Sequence, residues 1–194
     1  MDQKRLVKIS KYLSKHLRHN PERISVSVDS SGWVLVNDLL LACKKGNFNI
    51  SKEELKCVVE QNDKKRFSFS KDGLHVRANQ GHSIKVNLGY EPVEPPDFLY
   101  HGTAKRNISS VSKLGIIKMN RHHVHLSPDY KNALKVGKRH GNPVVYLIKA
   151  NKMFQDGHKF YMSDNEVWLT AHVPNCYFEL VRNLKPLPRK RKEV

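Results

Sequence analysis

Two short blocks, YHGT at 100–103 and RHHVHLS at 121–127, crowd histidine, arginine and hydroxyl groups together. Such segments are too polar to build a hydrophobic core, but they suit a phosphorylated, sugar-bearing ligand. Arginine offers a planar fork that pairs bidentately with phosphate. Histidine can donate or relay a proton near neutral pH. Matching basic chemistry stands upstream, at Leu17-Arg18-His19 and in DKKRF at 63–67. Read as a strand, RHHVHLS alternates. Arg121, His123, His125 and Ser127 then share one face, and His122, Val124 and Leu126 the other. The apolar pair marks the core side, so the polar face is expected to line a cleft.

Each block also has a plainer reading. The RHHVHLS face could be an exposed polar surface, and Lys64-Lys65-Arg66 a solvated charge run. Arg18 and His19 at a helix C-terminus are favourable to the helix dipole in any case. Glycine at 102, closing a strand, would let a ligand approach the backbone. Zinc is the rival for clustered histidines. His123 and His125 could supply two ligands, yet no third is signposted nearby and there is no HExxH, so no metal is expected. No P-loop and no GxGxxG is present.

The elements that must position these groups follow from periodicity. Leu6, Ile9, Leu13 and Leu17 recur at helical spacing with lysines opposite, which predicts a first helix. It should end near Asn20-Pro21, placing Arg18 and His19 at its C-terminal end. Residues 32–36 predict a short strand, with Asn37 or Asp38 capping a second helix. Ser51-Lys52-Glu53-Glu54 is a capping box that opens a third. Residues 66–70 and 74–77 alternate around Asp72-Gly73 and predict a hairpin. Three helices followed by a hairpin is the order of a winged helix. PVEPP at 92–96 is the best linker candidate. Beyond it short strands are expected at 98–101, 124–127, 143–150 and 167–173, with helices at 106–114 and 130–138. PVVYLIKA, at 143–150, is apolar throughout and reads as a strand covered on both faces.

The 35 Lys and Arg against 18 Asp and Glu leave a net charge of +17, which points to a polyanionic partner, best a nucleic acid. The excess runs the whole length, +6 over residues 1–96 and +11 over 97–194. With 39% hydrophobic residues a packed core is affordable. No apolar run approaches the roughly 20 residues that span a bilayer. The opening MDQKRLVKIS lacks the apolar block of a secretory signal. Cys43, Cys57 and Cys176 are odd in number and widely spaced, so no disulfide framework is indicated. A reducing cytoplasm fits best. Nothing suggests an extended dimerisation helix, so a monomer is expected. Residues 185–194 hold five basic side chains, one acid and two prolines, and are expected to be disordered.

In order, YLSKHLRHNPE, GWVLVNDLL, NDKKRFSFSKDGLHVRANQGHS, PPDFLYHGT, RHHVHLS, VGKRHGNPVV and FYMSDNEVWLT resemble the RNA 2′-phosphotransferase family. These are NAD-dependent enzymes that remove a splice-junction 2′-phosphate from tRNA. The resemblance covers residues 9–173. It implies an α+β fold, a winged-helix RNA-binding lobe (1–91) and an ADP-ribosyltransferase-like, β-rich NAD-binding lobe (97–184), after which the composition leaves a basic tail (185–194). It further implies catalytic positions at Arg18, His19, Arg66 and Arg121. His101, Gly102 and Thr103 look like the NAD-binding segment, with Ser127 and Arg139 as further contacts. The implied chemistry transfers the RNA 2′-phosphate to NAD, giving RNA 2′-OH, nicotinamide and ADP-ribose 1″,2″-cyclic phosphate.

One position departs from that family's pattern. Glu166 stands where Ser-Asp-Asn-Gly-Val-Trp usually has glycine. Many ADP-ribosyltransferases that modify proteins carry a glutamate on a nearby strand. Alternation would point Glu166 away from Val167, which argues against that role. The alternatives are ADP-ribosylation of a nucleic-acid end or a protein, and a non-catalytic nucleic-acid-binding protein that docks NAD.

Overall fold

The computed structural model describes residues 2–61 and 64–181. It is an α+β protein built from small antiparallel sheets. Helix α1 (Gln3–Arg18) buries Leu6, Ile9, Leu13 and Leu17, the stripe its periodicity predicts. Strand β1 (Trp33–Leu35) runs straight into α2 (Val36–Lys45), which has no side-chain cap. The expected cap at Asn37 or Asp38 is therefore corrected. The Val36 N–H instead donates to the Leu74 carbonyl at 2.9 Å, and Asp38 falls within the first turn, where a negative charge favours the helix dipole. Helix α3 (Lys52–Glu60) opens on the Ser51–Glu54 capping box with both reciprocal bonds made. Arg5 reaches across from α1 to the Glu54 carboxylate at 2.8 Å and ties the two helices together.

Strands β2 (Phe67–Phe69) and β3 (His75–Ala78) form the predicted hairpin, and β1 joins the other side of β3. These elements share one buried cluster, centred on Ile9, Leu13, Leu39, Leu55, Val58 and Val76.

The chain then passes through 92–96. This stretch is not a bare spacer: Pro92 bridges to Tyr161, and the Val93 N–H donates to the Phe160 carbonyl at 2.9 Å. There follow β4 (Phe98–Ala104), α4 (Ile108–Leu114), β5 (Ile116–Ile117), β6 (Val124–Leu126), α5 (Tyr130–Lys138), β7 (Pro143–Lys149), α6 (Ala150–Gln155) and β8 (Phe160–Met162). Strands β9 (Trp168–Thr170), β10 (His172–Val173) and β11 (Phe178–Leu180) complete the order. Sheet β11-β7-β4 has β7 at its centre, with adjacent Val145 and Tyr146 both buried, as an apolar run covered on both faces requires. Sheet β6-β9-β8 meets it through a two-way backbone bridge between Tyr100 and Ser127. The single strand expected at 167–173 is instead two. The chain leaves β9 at Ala171, and β10 pairs with β5 in a separate ladder. A second buried cluster, including Leu99, Ile148, Met153, Phe160 and Val173, holds these elements together.

Cys43 is buried, Cys57 half-buried and Cys176 exposed, and all three are free. Among the described residues no helix is long and apolar enough to cross a membrane. The expected basic tail lies outside the described residues, as does Asp63.

Glu166 sits not on a strand but on the turn joining β8 to β9, exposed, with φ at 60°. That left-handed geometry suits glycine and costs another residue roughly 1–2 kcal/mol. Glu166→Gly is therefore expected to raise unfolding stability by about 0.5–1 kcal/mol, the gain being trimmed by glycine's greater unfolded-state entropy. Urea unfolding of the two proteins measures this. An unchanged or lower midpoint would mean that the turn carries no strain.

Candidate active site

The C-terminal end of α1 supplies the first two predicted groups. Helix ends leave carbonyls without partners. Here the Ser83 N–H donates to the Arg18 carbonyl at 2.9 Å, and the His19 Nδ1 lies 2.9 Å from the Ser83 hydroxyl. The segment after β3 thus closes the helix and orients His19. The Arg18 side chain turns inward, its Nη1 3.6 Å from where a Cβ on Gly81 would stand. Its Nη2 donates to the Arg66 carbonyl at 3.5 Å.

Arg66 follows Lys65, whose φ of 40° is again left-handed, at a cost of roughly 1–2 kcal/mol. Three successive carbonyls hold this path. Lys64 O accepts from Asn165 Nδ2 at 2.9 Å, Lys65 O from Asn79 Nδ2 at 2.8 Å and Arg66 O from the Asn79 N–H at 2.9 Å.

RHHVHLS only partly alternates. The strand is confined to 124–126, with Val124 and Leu126 buried as expected. Residues 121–123 are bends, so their side chains do not obey a two-residue period. His122 therefore lines the same cavity as His123 and His125, and the expected division of faces is corrected. Arg121 folds back over the strand, and its Nη1–H donates to His125 Nδ1 at 2.9 Å. That bond places the His125 proton on Nε2. The His101 Nδ1–H donates in turn to the His125 carbonyl at 3.0 Å. The Ser127 hydroxyl does not join this face. It accepts from the Asp129 N–H at 3.2 Å, within the turn that starts α5.

The structure brings Arg66 and Arg121 within electrostatic reach of Arg18. Burial first, then the charges of Arg66 and Arg121, pull the Arg18 pKa down to about 10. Burial also lowers the Arg121 pKa. Burial, Arg18 and Arg121 lower that of His19. Among the described residues no carboxylate acts on Arg18, His19, His82 or His125. Like charges held close and partly dry repel, and a bound anion would relieve them.

Beside the arginines lies a cavity of about 150 Å³, walled by Gly81, His82 and Tyr90 on one side and His122, His123 and His125 on the other. His82 is a site residue that sequence reasoning missed. It is 1% exposed, and neither ring nitrogen has a hydrogen-bond partner among the described residues. The available signal was the polar, glycine-bearing run Asn79-Gln80-Gly81-His82-Ser83 directly after a hairpin. Among the described residues no three His, Cys, Asp or Glu side chains are grouped to hold a metal.

Burial, followed by nearby positive charge, holds both His82 and His125 at a pKa of about 3. Unfolded imidazoles protonate near 6.5, so between those values protons bind the unfolded chain first. The stabilisation is complete above about pH 6.5 and is lost as pH falls toward 3. Unfolding stability should drop by about 1.4 kcal/mol per pH unit for each of the two groups below that point. Urea titrations at pH 7, 6 and 5 test this, with His82→Leu expected to flatten the slope by one such increment. An equal slope in that variant would show that His82 titrates normally.

The remaining predicted positions are more scattered. Burial lowers the pKa of His101, which lies beside His125. Gly102 is buried, but α5 fills the space over it: a Cβ there would stand 1.7 Å from the Ala133 carbonyl oxygen. On that face the close approach is made by the backbone of α5. Thr103 is 8% exposed, and its hydroxyl accepts from Asn107 Nδ2 at 2.9 Å. Arg139 is exposed at the C-cap of α5, and among the described residues no hydrogen bond or ion pair links it to the arginine cluster.

Comparison with known proteins agrees with this chemistry. Residues 4–172 match the model of a family described as RNA 2′-phosphotransferase, Tpt1/KptA family. A probable RNA 2′-phosphotransferase from Nostoc punctiforme is 52% identical over 181 residues, covering 93% of this chain and 100% of that protein. One of the same description from Streptomyces coelicolor is 50% identical over 91% of this chain and 96% of its own length. Another, from Agrobacterium fabrum, is 49% identical over 87% and 90%. Matched by that family's model over nearly its whole length and by relatives about half identical to it, this chain belongs to the RNA 2′-phosphotransferase, Tpt1/KptA family.

Proposed function

We propose that this enzyme removes an internal 2′-phosphate of the tRNA splice-junction type by transferring it to NAD. The products are RNA 2′-OH, nicotinamide and ADP-ribose 1″,2″-cyclic phosphate. The observation that carries the reading is the convergence of Arg66 and Arg121 on Arg18, with no carboxylate among the described residues acting on Arg18. In the first step an oxygen of the 2′-phosphate attacks the nicotinamide-bearing ribose carbon and nicotinamide leaves. This nucleophile is already anionic, so it needs placement and charge neutralisation more than a base. In the second step the ribose 2″-hydroxyl attacks phosphorus and the RNA 2′-oxygen departs. Charge then builds on the phosphoryl oxygens, where guanidinium groups stabilise it. The three arginines take these tasks, and His19 binds phosphate or assists proton transfer to the departing oxygen.

His101, Gly102 and Thr103 form the NAD-binding segment in this reading, with Ser127 and Arg139 as further contacts. Residues 1–91 act as a winged-helix RNA-binding lobe, supported by three helices preceding a hairpin. Residues 97–184 act as an ADP-ribosyltransferase-like lobe. The enzyme works as a cytoplasmic monomer. Glu166 is exposed on a turn and does not line the cavity, which weighs against ADP-ribosylation of another acceptor through that residue.

Incubation with NAD and an oligonucleotide bearing one internal 2′-phosphate tests the reading. Loss of the phosphate with release of nicotinamide is expected. Transfer of ADP-ribose without dephosphorylation, or binding without turnover, would replace it with the corresponding alternative.

A further inference from the structure

The second half of the chain reaches into the loop that carries Arg66. Asn165 stands on the β8–β9 turn, and its side-chain N–H₂ donates to the Lys64 carbonyl, 101 positions away in sequence. The Asn165 amide is itself fixed. Its Oδ1 lies 2.9 Å from the hydroxyl of Ser163, a residue 2% exposed whose Oγ also accepts from the Val167 N–H at 3.0 Å. Next to Asn165, Asp164 pairs with Arg77 of β3 at 3.0 Å, and the Arg77 guanidinium lies 4.5 Å above the Trp33 ring. On the other side of the loop, Asn79 is 1% exposed and binds the following two carbonyls, of Lys65 and Arg66. The Tyr90 hydroxyl donates to the Asn79 carbonyl.

Between these two amides lies Lys65, in left-handed geometry that a lysine does not adopt unaided. Strain of this kind persists only where its surroundings over-determine it, and it collects at functional sites. The same loop delivers Arg66 to a cluster in which like charges repel. A relaxed loop would let Arg66 drift away from Arg18 and Arg121.

We propose that Asn165, with Asn79, is a positioning residue for Arg66: the two amides clamp the Lys64–Lys65 backbone and so aim the guanidinium at the phosphate. The clamp makes the phosphate site depend on the turn between β8 and β9, so sheet β6-β9-β8 must be docked against sheet β1-β3-β2 before the site is complete. The role in turnover rests on the function proposed above; the clamp itself does not.

Two measurements test the proposal on the full chain. A ligand-free crystal structure of Asn165→Ala is expected to show Lys65 outside the left-handed region and Arg66 displaced from Arg18. An unchanged loop would overturn the clamp, whatever the substrate. In the assay with NAD and a 2′-phosphorylated oligonucleotide, Asn165→Ala and the isosteric Asn165→Asp should both lose about 10- to 100-fold in kcat/KM for the RNA. The KM for NAD should stay within twofold. Asp fills the same space but cannot donate, so full activity in Asn165→Asp would reduce Asn165 to a space-filling role. A parallel rise in the KM for NAD would mark general disruption and also overturn it. Absence of turnover in the wild-type protein would sink the functional reading, while the ligand-free structure would still decide the clamp.

Discussion

Arg121→Ala is expected to reduce phosphate removal by about 10²–10³-fold while the protein stays folded, which is the loss typical of removing one preorganised charge donor from a transition state. The guanidinium is partly dry, with its pKa lowered by burial, and Nη1 is anchored on His125. Its reorganisation has been completed before substrate arrives, so its attraction for phosphoryl oxygens is little diluted by solvent. Stability should behave in the opposite way. Arg121 adds positive charge beside Arg18, and with no carboxylate acting on either among the described residues such a buried charge is a burden on the fold. Thermal unfolding of the variant is therefore expected at or slightly above the wild-type temperature. Arg121→Lys keeps the charge but loses the planar fork, and about a tenfold deficit should remain. Turnover with a 2′-phosphorylated oligonucleotide and NAD, alongside a melting curve, checks all three statements. Near-normal rates in Arg121→Ala would remove this side chain from the mechanism.

Local rules made much of the frame readable. The α1 stripe, the Ser51–Glu54 box and the hairpin around Asp72-Gly73 each depend on residues a few positions apart, and each appears in the structure. The arginine cluster is different. Arg18, Arg66 and Arg121 span most of the chain, and no spacing rule joins them; only the resemblance to a family linked them before the structure did. Alternation failed in RHHVHLS because it presumes a strand, and the backbone is extended only from Val124 to Leu126. The α2 cap was misread because a distant carbonyl, that of Leu74, does the work of a side chain. His82 and Asn165 were overlooked for a related reason. Their meaning lies in what surrounds them, an unpartnered buried ring in one case and a carbonyl 101 residues away in the other. Glu166 failed in the same way as RHHVHLS: alternation presumed a strand, and the residue stands on a left-handed turn.

The substitution expected to damage the fold most is Gly102→Ala. Strand β4 and helix α5 meet backbone to backbone at this point. An added Cβ would stand 1.7 Å from the Ala133 carbonyl oxygen, 2.5 Å from its carbon and 3.1 Å from the Gly137 nitrogen. None of those atoms ends a flexible side chain, so no rotamer change relieves the clash. Strand β4 cannot yield either, because it pairs with β7 from Phe98 through Ala104. The helix must move away, opening the packing around Ala133 and Gly137, both buried. Interiors close-packed to this degree transmit such a shift rather than absorb it. A loss of about 3 kcal/mol or more is expected, at the upper end for overpacking. His101 precedes this glycine and holds the His125 carbonyl, so any protein that remains folded should also lose phosphate removal. Gly73→Ala is the control. Its φ of 70° is equally left-handed, but nothing lies within 4 Å of the new Cβ, so only the roughly 1 kcal/mol of backbone strain applies. Urea unfolding of the two variants separates contact from conformation. Equal losses would mean that α5 slides freely over β4, and the close approach at Gly102 would then place no demand on the fold.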